Sequence, residues 1–314
     1  MRVVLSANES IGHDCLKILL EEKQEVVGIV TDKTTPETKL RNARMKSLAR
    51  QVGTKVYEAD DINDSDFLEE LRGLAPDVLF NIAFLHLYKK PILGIPKMGC
   101  VNFHPGPLPK YGGSNGWVWA IINGDTEYGV TFHQMKERID AGDILGLERF
   151  PIEKDETGLS LLMKCYKHGA DLFRRTLRGM ANGGGAPIPQ DLAERSYYYK
   201  KTVPFEGMID VKWSSGRIYD FVRAMSFAPF QNPLSPPMIS FKDTKLVIAK
   251  ARIMEEPISG NPNPGEVVDI SQEGVAMQTG GGLVRLRLLD NATRSDDTIM
   301  LCQTKGISKG TILG

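Results

Sequence analysis

The sequence predicts an α/β fold, a parallel sheet with helices on both faces, followed by a small β-rich domain. Three observations carry this. Strand and helix signals alternate through the first hundred residues, the pattern of βαβ units. The 314 residues leave room for two cores, at roughly 150 residues per domain. After the run Gly183-Gly184-Gly185 the composition changes, and a polar stretch leads into short strand-like runs separated by turns.

Val3-Val4-Leu5 is a short buried-strand run, and Ile11, Cys15, Leu16, Leu19 and Leu20 recur at helical spacing after it. Val26–Val30 is a second strand, Leu40–Val52 a helix, Lys55-Val56-Tyr57 a third strand and Asp64–Leu74 a third helix. The nearly continuous apolar run 77–83 is expected as a strand buried on both faces. Gly99–Phe103 and Gly129–Met135 are further strands. A long helix follows over Thr157–Met180, capped by Asp155 or Thr157 and stopped by the glycine run. Beyond it, Ser215–Met225 is a short helix, and Met238–Phe241, Leu246–Ala249, Gly265–Ile270 and Leu283–Leu289 are strands of a small, barrel-like domain.

With 39 Lys+Arg against 39 Asp+Glu the net charge is zero, so bulk positive charge gives no reason to bind nucleic acid. From Asp191 to the end the balance is 15 against 14, and the second domain is no basic module either. Cys15, Cys100, Cys165 and Cys302 are scattered, with no zinc or redox spacing, and are expected as small buried apolar residues. No metal site is predicted. The N-terminal apolar stretch is broken at Ser6 and does not read as a signal peptide. No apolar run is long enough to span a bilayer, so the chain reads as cytoplasmic, reduced and without a membrane partner.

The stretch Cys100–Leu145 carries the chemistry. Its opening strand brings Asn102 and His104 to the same side, two residues apart. Pro105, Pro107 and Pro109 then stiffen the exit. Polar groups at the carboxyl end of such a strand sit where ligands bind in open α/β sheets. Asp140 closes a later loop, and Gly142 allows a tight turn after it. An imidazole that titrates near neutrality can accept a proton from a nucleophile. A carboxylate beside it stabilises the imidazolium, and a side-chain amide can donate to an oxygen that gains negative charge. Together they would form an acyl-transfer site. His133 is expected to be structural, Trp117 and Trp119 to pack a helix onto the sheet, and Tyr197-Tyr198-Tyr199 to lie in a packed linker.

Asn102-Phe103-His104-Pro105, Leu108-Pro109-Lys110-Tyr111-x-Gly113, Asn123-Gly124, Gly129-Val130-Thr131 and Asp140-Ala141-Gly142-Asp143-Ile144 occur in this order. This pattern resembles the N10-formyltetrahydrofolate-dependent formyltransferases, the family of the methionyl-tRNA and nucleotide-sugar N-formyltransferases. The likeness covers about the first 180 residues well. More loosely, Ile209-Asp210-x-x-Trp213 and the helix after it resemble the small C-terminal domain of family members. The resemblance implies a Rossmann-like formyltransferase domain over 1–185, a linker over 186–206 and an OB- or barrel-like β domain over 207–314. The G-x-G-x-x-G fingerprint of a dinucleotide site is absent from the first βα turn, Ser6–Ser10.

The resemblance also implies a catalytic set of Asn102, His104 and Asp140, with N10-formyltetrahydrofolate as co-substrate. It places the pterin against Phe84, Leu85, His86 and Leu87 on one side and Lys136 and Ile139 on the other. Tyr111, Ser114 and Asn115 fall in the loop that borders the acceptor. Here the chain departs from the family: position 112 is Gly where Arg is common, and Ser114-Asn115-Gly116 replaces the usual Ala-Pro or Asn-Pro. The expected partner is a small-molecule amine such as a nucleotide-linked amino sugar. Methionyl-tRNA, hydrolysis of the formyl-folate, and a non-catalytic folate-binding protein are the alternatives; the oligomeric state is left open.

Overall fold

The computed structural model describes residues 1–36, 38–184, 186–230, 232–255, 260–289 and 297–314; Gly185, at the expected boundary, lies outside them. By packing the chain forms two compact units. The first comprises Met1–Gly116, Tyr128–Phe150 and Met163–Tyr198, the second Trp117–Glu127, Pro151–Leu162 and Tyr199–Gly314.

The chain begins β1 (Arg2–Ala7), α1 (Glu9–Glu21), β2 (Glu25–Asp32), α2 (Lys39–Gln51), β3 (Val56–Ala59), α3 (Ser65–Gly73) and β4 (Val78–Ile82). It continues α4 (Lys90–Leu93), β5 (Cys100–His104), β6 (Gly112–Gly113), α5 (Gly116–Ile122), β7 (Glu127–Gln134), β8 (Ile144–Pro151) and α6 (Gly158–Ala181). One seven-stranded sheet runs in the order β3-β2-β1-β4-β5-β7-β8. β1 to β5 are parallel, whereas β7 returns antiparallel to β5, so the expected parallel sheet has an antiparallel flank. Strand signals in a sequence report burial and alternation and carry no direction, which is why this reversal was not foreseen.

Burial explains the strands. Val3, Val4, Leu5, Val78, Leu79, Phe80 and Ile82 are all solvent-excluded, as strands covered on both faces require. α1 buries Ile11, Cys15, Leu16, Ile18 and Leu19. α3 starts at Asp64, whose carboxylate accepts from the Asp66 and Phe67 N–H groups. Along α6, Cys165, Leu172, Phe173 and Leu177 are buried. A Cβ at Gly169 would lie 2.4 Å from the Phe103 ring, so the missing side chain lets α6 close onto β5. Phe173 meets Phe80 at 4.9 Å and Phe132 at 5.6 Å, and Phe103 meets Phe132 at 5.3 Å. This aromatic layer lies under the strand that ends at His104 and gives that end a rigid support.

The remaining elements are β9 (Tyr197–Tyr198), α7 (Ser215–Ala224), β10 (Met238–Phe241), β11 (Thr244–Met254), β12 (Val267–Ser271), β13 (Gly274–Gln278), β14 (Leu283–Leu289) and α8 (Thr298–Lys305). β10 to β14 make a five-stranded antiparallel sheet in the order β10-β11-β14-β13-β12. Its buried face carries Ile239, Leu246, Ile248, Ala276, Leu286 and Leu288. In the second unit Trp119 lies 6.4 Å from Phe205, and Phe205 packs edge-on to Trp213 at 4.9 Å. All four cysteines are free and buried, with the Cys100 thiol pushed up to about 12 by burial. No helix among the described residues is long and apolar enough to cross a membrane.

Candidate active site

Three adjacent strands place the polar groups. Asn81 on β4 pairs in register with Asn102 on β5, and Asn102 in turn with His133 on β7. Asn81 Nδ2 donates to Asn102 Oδ1 at 2.8 Å. His133 Nδ1–H donates to the Gln134 carbonyl at 2.9 Å, which leaves Nε2 free to accept from Asn102 Nδ2 at 3.0 Å. The Asn102 amide is thereby fixed in one orientation, because a flip would set acceptor against acceptor and donor against donor. One of its two N–H bonds goes to His133, and the second remains for a ligand. Tyr88 Oη donates to Asn81 Oδ1 at 3.4 Å and closes the row from behind.

His104 ends β5 and is 4% exposed. Its Nε2 meets the Tyr111 carbonyl at 2.8 Å, a distance that places a proton on that nitrogen. Nδ1 faces Asp140 Oδ2 across 3.7 Å, beyond hydrogen-bond length. Thr131, the register partner of His104, bonds the exit loop twice: its hydroxyl donates to Gly106 O at 2.7 Å and accepts from Leu108 N at 3.1 Å.

Asp140 reaches the same place from the loop after β7. It is 7% exposed and has φ +54°. Its Oδ2 accepts from Gly113 N at 2.8 Å, and its Oδ1 lies 3.5 Å from His133 Nε2. Two glycines make the approach possible. Gly113 has φ +87°, and a Cβ there would lie 2.1 Å from Tyr198 O; one at Gly142 would lie 1.7 Å from Gln134 O.

Burial pushes the His104 pKa below the ordinary imidazole value of 6.5, outweighing the attraction of Asp140, and His133 lowers it further. At Asp140 burial acts upward, but the His104 and His133 rings and the Gly113 N–H outweigh it and hold the carboxyl below its usual range. The resting pair is a neutral imidazole beside an ionised carboxylate. Such a site can take a proton from a nucleophile and stabilise the cation that results.

The residues expected against the pterin fall into two kinds. Phe84 is buried and stacks on His86 at 4.3 Å, so its ring is not open to a ligand. His86 is half-buried and bonds Asp32 Oδ1 through Nε2 at 2.9 Å. Leu85 and Leu87 are 79% and 56% exposed, and Ile139 is 46% exposed. Lys136 is exposed and paired with Asp143 at 2.9 Å. Met135, just before Lys136, packs on the cluster that holds Phe84 and Tyr88. Large apolar side chains left in water on two neighbouring loops fit a flat heteroaromatic ligand. In the loop expected to border the acceptor the Tyr111 ring is buried and stacked on Tyr198 at 5.7 Å, and its carbonyl is what reaches His104. Ser114 and Asn115 are half-exposed, Asn115 with φ +59°.

The structure therefore brings Asn102, His104 and Asp140 together, adds Asn81, and sets His133, expected to be structural, against Asn102 and near Asp140. Asn81 was detectable as the one polar residue in the apolar run 78–82. His168, by contrast, stacks on Phe150 at 4.3 Å and bonds Glu148, away from this row.

Comparison with known proteins shows the family. Residues 1–177 match the family model described as "Formyl transferase", and residues 201–297 match "Formyl transferase, C-terminal domain". A methionyl-tRNA formyltransferase of Clostridioides difficile is 30% identical over 284 residues, 89% of this chain and 88% of that protein. One of Citrifermentans bemidjiense is 33% identical over 287 residues, 90% of this chain and 86% of that protein. Among solved structures, an N-formyltransferase from Helicobacter canadensis, in complex with folinic acid and dTDP-3-aminofucose, aligns with a TM-score of 0.72 at 21% identity. The alignment covers 92% of this chain and 99% of that one.

Proposed function

This chain belongs to the formyl transferase family, an enzyme family, and on that premise we propose that it moves a formyl group from N10-formyltetrahydrofolate to the primary amine of a small acceptor, a nucleotide-linked amino sugar. The acceptor nitrogen bonds to the formyl carbon, the bond from that carbon to the folate nitrogen breaks, and one proton passes from the acceptor to the folate nitrogen. The folate supplies the electrophilic formyl group. Asn102, with one N–H unspent, donates to the formyl oxygen as it gains negative charge. His104, neutral at rest, accepts the amine proton, and the fixed negative charge of Asp140 stabilises the imidazolium. Leu85, Leu87 and Ile139 cover the pterin faces, while the backbone of 83–88 and 136–140 bonds its edge.

The observation that carries the choice of acceptor is the loop after Tyr111. Gly112 stands where an arginine is common in the family, and Ser114 and Asn115 offer neutral hydrogen-bonding groups. Such a loop suits the hydroxyls of an amino sugar better than the many phosphodiesters of a nucleic-acid backbone. The likeness over nearly the full length of the Helicobacter canadensis protein, bound there to dTDP-3-aminofucose, points the same way.

A second reading is methionyl-tRNA, favoured by the curated relatives at 30% and 33% identity over most of both chains. Incubation with N10-formyltetrahydrofolate and each acceptor in turn, followed by mass spectrometry, separates the two. The proposal expects the mass of one carbonyl unit to be added to the amino sugar nucleotide. Formylation of methionyl-tRNA alone would replace it by the second reading.

A further inference from the structure

The segment Ile188–Tyr198, which the sequence presents as the start of a linker, is sewn to both loops of the site. Ile188 and Ile144 exchange backbone hydrogen bonds at 2.8 Å each way. Gln190 Nε2 donates to the Asp140 carbonyl at 3.1 Å and to the Gly142 carbonyl at 2.5 Å. Arg195 Nη2 donates to the Ile139 carbonyl at 3.0 Å while its guanidinium lies over the Tyr197 ring at 4.5 Å. The same stretch then turns to the other loop. Ser196 Oγ accepts from Tyr111 N at 2.8 Å, Ser196 O from Gly112 N at 3.0 Å, and Tyr198 O from Ser114 N at 2.8 Å.

These bonds fall on strained backbone. Asp140, Tyr111 and Asn115 all have φ between +54° and +59°, a conformation that non-glycine residues hold only where the surroundings enforce it. Two of the three serve the site directly, Tyr111 through its carbonyl on His104 and Asp140 through its carboxylate. The clamp on Asp140 is three carbonyls deep, at residues 139, 140 and 142, and two side chains from one short segment supply all its donors.

We propose that Gln190 is a positioning residue for Asp140, the central clasp of a strap, residues 188–198, that holds the two strained loops of the active site in register. The inference rests on the catalytic roles given above to His104 and Asp140. Gln190 touches neither reacting group. It acts through the backbone of the residue that stabilises the imidazolium, and displacement of such a group by about 1 Å costs on the order of a hundredfold in rate.

The test uses the full-length enzyme, N10-formyltetrahydrofolate and whichever acceptor gains the formyl group in the assay above. Gln190→Glu keeps the shape and sets a carboxylate against two carbonyls; Gln190→Ala removes the clasp. Both are expected to lower kcat roughly 10- to 100-fold, with KM for the formyl donor changed less than about threefold. Burial and the neighbouring His133 ring lower the His104 pKa, while Asp140 and the bond to the Tyr111 carbonyl raise it. A retreating Asp140 therefore moves the acid limb of kcat/KM to lower pH. A merely structural role would lower the melting temperature and leave that limb in place.

His104→Ala is the control for the reading on which this rests. If it keeps wild-type activity, the catalytic reading falls whatever Gln190 does. If it is inactive while the Gln190 variants keep wild-type kcat and acid limb, the strap inference falls alone. Should both Gln190 variants fail to fold, Arg195→Ala decides: a kcat loss of about tenfold with the same displaced limb supports the strap, and an unchanged profile overturns it.

Discussion

At His104 burial and charge pull in opposite directions, and the balance sets what the residue can do. Burial removes the water that would solvate an imidazolium, and Asp140, 3.7 Å away, restores only part of that cost. The folded pKa lies below 6.5, so the ring is a ready base at neutral pH. The expected profile of kcat/KM is flat through neutrality, with an acid limb below 6.5; a limb at 7 or above would mean that the carboxylate prevails over burial. Linkage has the same sign. His104 and Asp140 both have depressed pKa values in the fold, so their contribution to stability is full above the unfolded values and is lost as pH falls. Asn102→Ala should lower kcat by about 10²–10³, the usual cost of one oxyanion donor; a change under about fivefold would remove Asn102 from that role. At this scale the sequence was informative where function demanded an unusual residue in a regular place. Asn102 and His104 at a strand end stood out, and so did Asp140 before Gly142. His133 did not, because its part depends on β7 lying antiparallel to β5 in one register, which no local signal encodes.

Among the elements, the pairing of β4, β5 and β7 turns three separate polar side chains into one row, and the loops deliver Asp140 to its end. The sharpest constraint on that delivery is Gly142, where a Cβ would stand 1.7 Å from the Gln134 carbonyl oxygen. Gly142→Ala is expected to destabilise the fold by roughly 1–3 kcal/mol, and to cost activity beyond what the stability loss explains, because the loop can yield only by moving Asp140. Gly124→Ala is the comparison, since nothing lies within 4 Å of a Cβ there and only its φ of +75° opposes it. Equal activities for the two folded variants would contradict the argument. Elements with a strong apolar period were legible: β1, β2, β4, β5, α1, α3 and α6 stand close to where their patterns put them. β6 and β9 were not, being two residues each and existing only because they pair with each other. β8 was hidden because Gly146 and the charged pair Glu148-Arg149 break the apolar alternation between its buried Ile144 and Phe150.

On the scale of the whole molecule, zero net charge bears on the acceptor and leaves the chemistry untouched. An enzyme whose acceptor is a small nucleotide sugar should show a KM that changes only a few-fold between about 50 and 200 mM salt; one that grips a tRNA through many phosphates should lose affinity far more steeply over that range. That an α/β part is followed by a β-rich one was legible from the change of composition. The packing of Trp117–Glu127 and Pro151–Leu162 with the C-terminal residues was not, because it rests on contacts remote in sequence. The central claim, formyl transfer to a small amine at the Asn102–His104–Asp140 site, meets its most direct test in one measurement. Wild-type and His104→Ala enzyme are incubated with N10-formyltetrahydrofolate and a panel of dTDP- and UDP-linked amino sugars and methionyl-tRNA, and each acceptor is weighed by mass spectrometry. The wild-type enzyme is expected to add one formyl group to an amino sugar nucleotide, and His104→Ala to lose at least about a hundredfold in rate. Formylation of methionyl-tRNA alone, or undiminished transfer by His104→Ala, would contradict the claim.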